Sequence, residues 1–384
     1  MRASWRAGRL LTAAVLGTVL AAACSGAPLT DRGRQVRLAV RQAMLETRAT
    51  GCSVAIAQDG RVVFEHGFGY ADVEDFSPVR PQTVFRIASI SKPITAVAVM
   101  QLVEKGKVGL DEDIRRYVPE FPDKGETITP RQVLAHLSGI RGYRGNEWAN
   151  RDPYSSVEQA LAMFAGDPLE HRPGEKYLYS THAYTLAARL VERVSGVSFP
   201  QYLMDNIFRP AGMTSTGPED LRSIVRWRAR GYARDSEGNL VNSAYTDISY
   251  KWAGGGLVST AADLCRFGSA LLNGKLLGPE ARETMWEEQR TLDGKGTGYA
   301  LGWVPGTAAG RPSVAHGGAQ PAARSFLLLV PGERLVVAVL SNYEGFQPSG
   351  VARRIAEIWL AGGDRDRMPS APGSPAVSSS PVRQ

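Results

Sequence analysis

The chain has 384 residues, of which 43% are hydrophobic and 22% charged, with a formal net charge of +7 and three cysteines. That apolar content excludes disorder throughout, and the length suits two or three lobes of ~100–200 residues each. Three cysteines cannot build a disulfide framework, and the basic excess is spread along the chain, without the stripe or module that nucleic-acid binding requires.

The first residues read as an export signal. Arg2, Arg6 and Arg9 form a positive start, and a mainly apolar run follows at 10–23. The run is shorter than the ~20 residues of a membrane-spanning helix and has signal-peptide proportions. Leu20-Ala21-Ala22-Ala23-Cys24 sets small residues before a cysteine, the pattern of a bacterial lipobox. Residues 1–23 are therefore expected to be cleaved, with Cys24 lipidated in an exported cell-envelope lipoprotein whose membrane partner is reached through that lipid. No arginine pair precedes the run, which favours the general secretory route. Cleavage removes three arginines and no acid, taking the charge from +7 to +4. Residues 24–34 then form a tether. Cys52 and Cys265 sit in apolar segments and are expected as buried thiols, with a disulfide open to them in an oxidising compartment.

Apolar residues at helical spacing mark 35–48, with Gly51 as the stop. Residues 52–57 read as a strand, Asp59-Gly60 as a hairpin turn and 61–64 as the return strand. Residues 94–103 are apolar nearly all round, as in a helix buried within a protein. From 111 to 250 the pattern changes to short helices, proline-punctuated loops and few strands, with 183–194 the clearest helix. Ala253-Gly254-Gly255-Gly256 reads as a loop and 261–272 as a helix. Strand patterns return at 325–330 and 335–340 around a Pro331-Gly332 turn, and a helix closes the fold at about 350–360. Residues 363–384 lack apolar periodicity and read as a disordered tail. Strands at both ends with helices between predict an α+β protein: one antiparallel sheet from the N- and C-terminal thirds, flanked by helices, with an inserted mainly helical lobe. The sheet lobe is expected at 35–110 plus 251–362 and the helical lobe at 111–250, together one domain over 35–362.

Among chemical motifs, the Gly-x-Ser-x-Gly elbow, His-Glu-x-x-His and Cys-x-x-Cys are all absent, and the five histidines are scattered. Ser89-Ile90-Ser91-Lys92 remains, at the entry to the buried helix. A three-residue step sets Ser89 and Lys92 on one helical face, where free backbone N–H groups favour developing negative charge. A capping serine at a surface helix start carries the same letters. What singles this one out is Lys92 opening an apolar helix, where an unpaired charge is costly. An ordinary lysine titrates near ~10.4; bringing it near neutrality takes about 4 kcal/mol of ammonium destabilisation, which burial supplies. If Lys92 stays charged, it lowers a neighbouring phenol instead. Either way a second titratable group is expected beside Ser89, and Tyr179, in Tyr179-Ser180-Thr181, is the candidate. A third element is His316-Gly317-Gly318, ahead of the C-terminal strand pair, whose glycines let a ligand approach the backbone closely.

Further ordered motifs accompany these: Gly67-Phe68-Gly69-Tyr70-Ala71-Asp72, Thr83-Val84-Phe85-Arg86-Ile87-Ala88, Leu134-Ala135-His136-Leu137-Ser138-Gly139, Gly254-Gly255-Gly256-Leu257-Val258-Ser259-Thr260 and Leu271-Leu272-Asn273-Gly274. Together they resemble the serine β-lactamase and penicillin-binding-protein superfamily. The likeness is to the class C-related branch of D-alanyl-D-alanine carboxypeptidases, β-lactamase-like esterases and the mitochondrial serine β-lactamase-like protein, and it runs from about 35 to 360. The resemblance implies that Ser89 is the acylated nucleophile and Lys92 its proton partner. Tyr179 becomes the general base, or the acid for the leaving group. The oxyanion hole would be the N–H groups of Ser89 and Ala319, with Thr181, His316, Gly317, Gly318 and Ala319 at the substrate. No metal or organic cofactor is implied.

Two departures stand out. Thr181 replaces the amide of the family's Tyr-x-Asn, and Gly317 replaces the threonine of Lys-Thr-Gly, with His316 in the lysine's place. Both fall on substrate recognition, which argues against efficient β-lactamase activity and leaves peptide, amide or ester hydrolysis. Tyr-Ser-Thr is similar to the mitochondrial peptidase-like members, and His136 reads as a polar core residue. The expected protein is an envelope-anchored serine hydrolase for small-molecule or peptide substrates, D-amino-acid-containing muropeptides among them. Its alternatives are a carboxylesterase or weak β-lactamase, and a non-catalytic peptidoglycan or β-lactam sensor or scaffold.

Overall fold

The expected signal peptide, Cys24 and the tail at 363–384 lie outside residues 30–361, which the computed structural model describes. The first helix, α1 (Asp31–Thr47), begins inside the stretch expected as tether. Its start is set by Thr30, whose hydroxyl accepts from the Gly33 N–H at 3.2 Å, and by Asp31 in the first turn, where a carboxylate suits the helix dipole.

Seven antiparallel strands form the main sheet. β1 (Gly51–Gln58), β2 (Arg61–Asp72) and β3 (Ser77–Pro78) come from the N-terminal third. β4 (Val304–Ala308), β5 (Arg311–Gln320), β6 (Ala323–Val330) and β7 (Leu335–Ser341) come from the C-terminal third. The spatial order is β3-β2-β1-β7-β6-β5-β4, so β1 and β7 meet at the centre, with Ala55 opposite Ala338. Both faces of this centre are covered, which is why the two strands read as continuous apolar runs. Ala55, Ala57, Leu327, Leu329, Val336 and Ala338 face the larger core, shared with α2 (Ser91–Glu104), α3 (Thr181–Ser195) and α4 (Ala261–Leu272). The alternate residues Val54, Ile56, Leu328, Val330, Val337 and Val339 face a second core under α1 and α5 (Pro348–Ala361).

The structure thus has the predicted α+β arrangement, and residues 111–250 give no strand to the main sheet. They are mainly short helices and loops, with three very short strands. Gly217–Pro218 pairs with Leu257–Ser259, and Tyr232–Arg234 pairs with Leu240–Asn242. Strands this short leave no readable period. Two local readings are corrected. Trp252–Gly255 is a helical turn and not a loop, fixed from outside by Thr95, whose hydroxyl donates to the Ala253 carbonyl at 2.8 Å. His316-Gly317-Gly318 lies inside β5 and not ahead of a strand, because pairing with β6 sets Gly317 opposite Phe326 and Gly318 opposite Ser325. Cys52 and Cys265 are buried free thiols.

A small sheet positions the chemistry. Phe85 and Arg86 pair with Ser259 and Val258, and the Ile87 N–H donates to the Leu257 carbonyl at 3.0 Å. The chain entering Ser89 is thereby stitched to the chain leaving the glycine run.

Candidate active site

Ser89 sits in a single 3-10 turn (Ala88–Ile90) that runs directly into α2. Ser91 is structural: its hydroxyl donates to the Ala88 carbonyl at 2.8 Å and accepts from the Leu257 N–H at 3.2 Å. Ala88 has φ +47°, a left-handed conformation that costs a non-glycine residue about 1–3 kcal/mol. The sheet holds it there. The Ser325 hydroxyl donates to the Ile87 carbonyl at 2.7 Å, and β5 pairs with β4 only as far as Ala315, leaving its edge at 316–320 to the serine turn. A Cβ on Gly318 would lie 2.5 Å from the Ile87 oxygen and 3.0 Å from the Ala88 Cβ. That glycine lets the Ser89 turn reach the strand, a closer use than the ligand approach expected of it.

Lys92 is fully buried. Its Nζ lies 2.6 Å from the Gly254 oxygen, 3.2 Å from Ser89 Oγ and 3.4 Å from Thr181 Oγ1. Burial, with the nearby charge of Lys251, holds its pKa far below the ordinary lysine range. A neutral amine has two N–H donors and one lone pair. The Gly254 carbonyl can only accept and Thr181 takes the second N–H, so the lone pair remains for the Ser89 hydroxyl. Gly254 makes this approach possible: a Cβ there would stand 2.6 Å from Thr181 Cγ2 and 2.9 Å from the Thr181 oxygen.

Tyr179 lies on the loop that enters α3, next to the N-cap Ser180. The Ser180 hydroxyl accepts from the Ala183 N–H and donates to the Arg141 carbonyl at 2.6 Å. His136 grips the loop on both sides of the tyrosine. Its carbonyl accepts from the Leu178 N–H at 2.9 Å, and its Nδ1 accepts from the Ser180 N–H at 3.1 Å. The imidazole packs on the phenol ring at 4.2 Å between centroids. Because Nδ1 accepts, the ring proton belongs on Nε2, and burial keeps the ring neutral. His136 thus positions Tyr179, a more specific task than filling the core. The Tyr179 ring lies 4.6 Å from Lys92 Nζ. Burial pushes its phenol above the ordinary range and interaction with Ser89 offsets part of the rise, so the phenol holds its proton at neutral pH.

Ser89, Tyr179, Thr181 and Ala319 line one pocket of about 190 Å³, with Lys92 behind the serine. The other three residues expected at the substrate, His316, Gly317 and Gly318, are not among its lining. His316 turns to Tyr299, its Nε2 2.8 Å from the phenol oxygen and its Nδ1 2.7 Å from the Gly317 oxygen. Burial and the neighbouring Lys92 push its pKa down to about 3, so it is neutral. Tyr143, Trp148, Lys251 and Gln320 also line the pocket, and the sequence reading missed all four. The one available signal was a cation between aromatics, Tyr250-Lys251-Trp252, directly before the glycine run. Among the described residues no group of side chains is placed to hold a metal ion, and no helix is long and apolar enough to cross a membrane.

A profile described as Beta-lactamase matches residues 36–359. The chain is 31% identical to the human serine beta-lactamase-like protein LACTB, mitochondrial, over 81% of this chain and 76% of that one. It is also 31% identical to penicillin-binding protein 4* of Bacillus subtilis, over 76% of this chain and 68% of that one. It superposes on the solved octameric penicillin-binding protein homologue from Pyrococcus abyssi with a TM-score of 0.75 at 29% identity, covering 86% of this chain and 78% of the other.

Proposed function

We propose, from the premise that this chain belongs to the Beta-lactamase family of serine hydrolases, that it cleaves peptide, amide or ester substrates through an acyl-enzyme on Ser89. The observation that carries this is the fully buried Lys92 amine, with two acceptors for its protons and its lone pair left for the serine hydroxyl. Ser89 Oγ attacks the substrate carbonyl carbon as its proton passes to Lys92 Nζ. The N–H groups of Ser89 and Ala319 receive the developing oxyanion. The leaving nitrogen or oxygen departs with the proton of Tyr179, and the phenolate recovers one from the Lys92 ammonium beside its ring. Water then repeats the sequence in reverse on the ester, releasing the acid and restoring Ser89. This assigns Lys92 as base and Tyr179 as acid, in keeping with the direction of each pKa.

Muropeptides containing D-amino acids are the proposed natural class, supported by the similarity to a penicillin-binding protein. Thr181 accepts from Lys92 and so has less to offer a β-lactam side chain, which favours peptides and esters over penicillins. Export and lipidation at Cys24 belong to the same proposal and rest on the sequence alone; loss of palmitate labelling in Cys24→Ser tests them. For the chemistry, the purified protein is labelled with a fluorophosphonate and assayed on a nitrophenyl ester, nitrocefin and a D-Ala-D-Ala peptide. Adduct on Ser89 with turnover of ester or peptide is expected. A stable adduct without turnover would make the protein a sensor, and a Ser89→Ala variant as active as wild type would overturn the nucleophile.

A further inference from the structure

The acylation chemistry leaves a cation of the pocket unused. Lys251 is 4% exposed and lines the same pocket as Ser89. Its Nζ lies beside the rings of Tyr250 and Tyr143, 5.2 and 5.5 Å from their centroids. Among the described residues no oxygen accepts a hydrogen bond from that ammonium. The acid that acts on it, Glu219, is already held by Arg86 through two parallel bonds of 3.0 and 2.7 Å. A second donor shares the pocket: the side-chain nitrogen of Gln320 is buried and has no acceptor. The two side chains converge over Gly255. A Cβ on that glycine would lie 3.5 Å from Lys251 Cδ, 3.6 Å from the Gln320 oxygen and 3.8 Å from the carbonyl carbon of Ala88, the residue before the nucleophile.

Buried donors almost always have acceptors, and a buried cation without one is costly. Two such donors beside a nucleophile complement a planar anion with two oxygens. Tyr179 packs on His136 and faces Tyr299, whereas Lys251 stands with Tyr143 and Tyr250. With the leaving group taken up at the phenol, the two free donors are assigned to its acyl partner.

We propose that Lys251 and Gln320 form a carboxylate-recognising subsite that selects substrates whose acyl group carries a negative charge. The proposal rests on the Ser89 acyl-enzyme reading and narrows its substrate class. The titratable groups facing Lys251 are Arg86, Glu219 and Lys92, with the phenols of Tyr143 and Tyr250. Burial first and the charge of Arg86 second bring its pKa down to about 7, with Glu219 opposing, so the selection weakens as the pH rises above neutrality.

The test compares mono-4-nitrophenyl glutarate with 4-nitrophenyl pentanoate, acyl chains of equal length with and without a terminal carboxylate. Wild type is expected to favour the glutarate ester in kcat/KM by about tenfold or more at pH 6.5, the worth of one charge-assisted hydrogen bond. The ratio shrinks by pH 8.5, collapses in Lys251→Met and survives in Lys251→Arg. Calorimetric titration of the Ser89→Ala protein with both esters supplies a readout without turnover, and the same preference is expected there. Equal turnover and equal binding of the two esters, or a ratio unchanged in Lys251→Met, overturns the subsite and leaves the serine mechanism standing. Preferential binding by Ser89→Ala with no turnover of either ester by wild type supports the subsite and fails the mechanism.

Discussion

Replacing Lys251 with methionine will stabilise the protein by an amount that depends on pH. The side chain is 4% exposed, and its pKa falls to about 7 through burial first and the charge of Arg86 second, with Glu219 opposing. In the unfolded chain the same amine titrates near ~10.4. The folded value is the lower one, so between the two the unfolded state binds the extra proton and stability rises with pH. The penalty is full below pH 7 and vanishes as the pH approaches ~10.4. Converted to free energy it is about 4 kcal/mol at pH 7 and about 2 kcal/mol at pH 9. Methionine keeps most of the volume and carries no charge. Urea unfolding of both proteins at the two pH values should find Lys251→Met more stable by up to about 4 kcal/mol at pH 7, with roughly half that advantage at pH 9. An advantage that does not change with pH would show that the folded protein keeps the Lys251 proton, and the reasoning would fall.

Gly254→Ala drives a methyl group to within 2.6 Å of Thr181, and the small-to-large change should cost about 1–3 kcal/mol in urea unfolding. It also displaces the carbonyl that orients Lys92, so kcat on a nitrophenyl ester will fall; unchanged kcat would separate Gly254 from the lysine. His136→Leu strips the Ser180 N–H of its acceptor, at about 1–3 kcal/mol. Because the loss acts on the loop that carries Tyr179, steady-state kinetics should show it mainly in kcat, and a change confined to KM would refute the positioning role. His316, with its pKa near 3, will stay neutral from pH 5 to 8, which its imidazole carbon shift in NMR can check; protonation in that range would contradict its burial against Tyr299.

The central strands and α4 were legible because local pattern and tertiary fate coincide there: 261–272 is helical as its spacing predicts, and 335–340 is apolar because both sheet faces are covered. Lys92 was legible for an energetic reason, since a charge at the head of an apolar helix must meet something. His316 was found by motif, yet its partner Tyr299 is set by the path of the chain into β4 and β5, which no local pattern encodes. Lys251 illustrates the opposite limit. Its letters suit a solvated lysine, and only the helical turn after it and the pairing of Leu257–Ser259 with Phe85–Arg86 carry it inward. Gly318 was marked correctly for closeness but for the wrong neighbour: the backbone it admits is the protein's own.

The seam between β1 and β7 also sets a timetable for biosynthesis. β1 is among the first strands to leave the ribosome, and the strand that completes its inner flank is the last. Through most of translation, β1 and β2 travel as a hairpin with one bare, strongly apolar rim, the kind of edge that invites aggregation. A ribosome stalled before residue 335 would therefore carry both halves of the sheet, β1–β3 and β4–β6, without the strand that joins them.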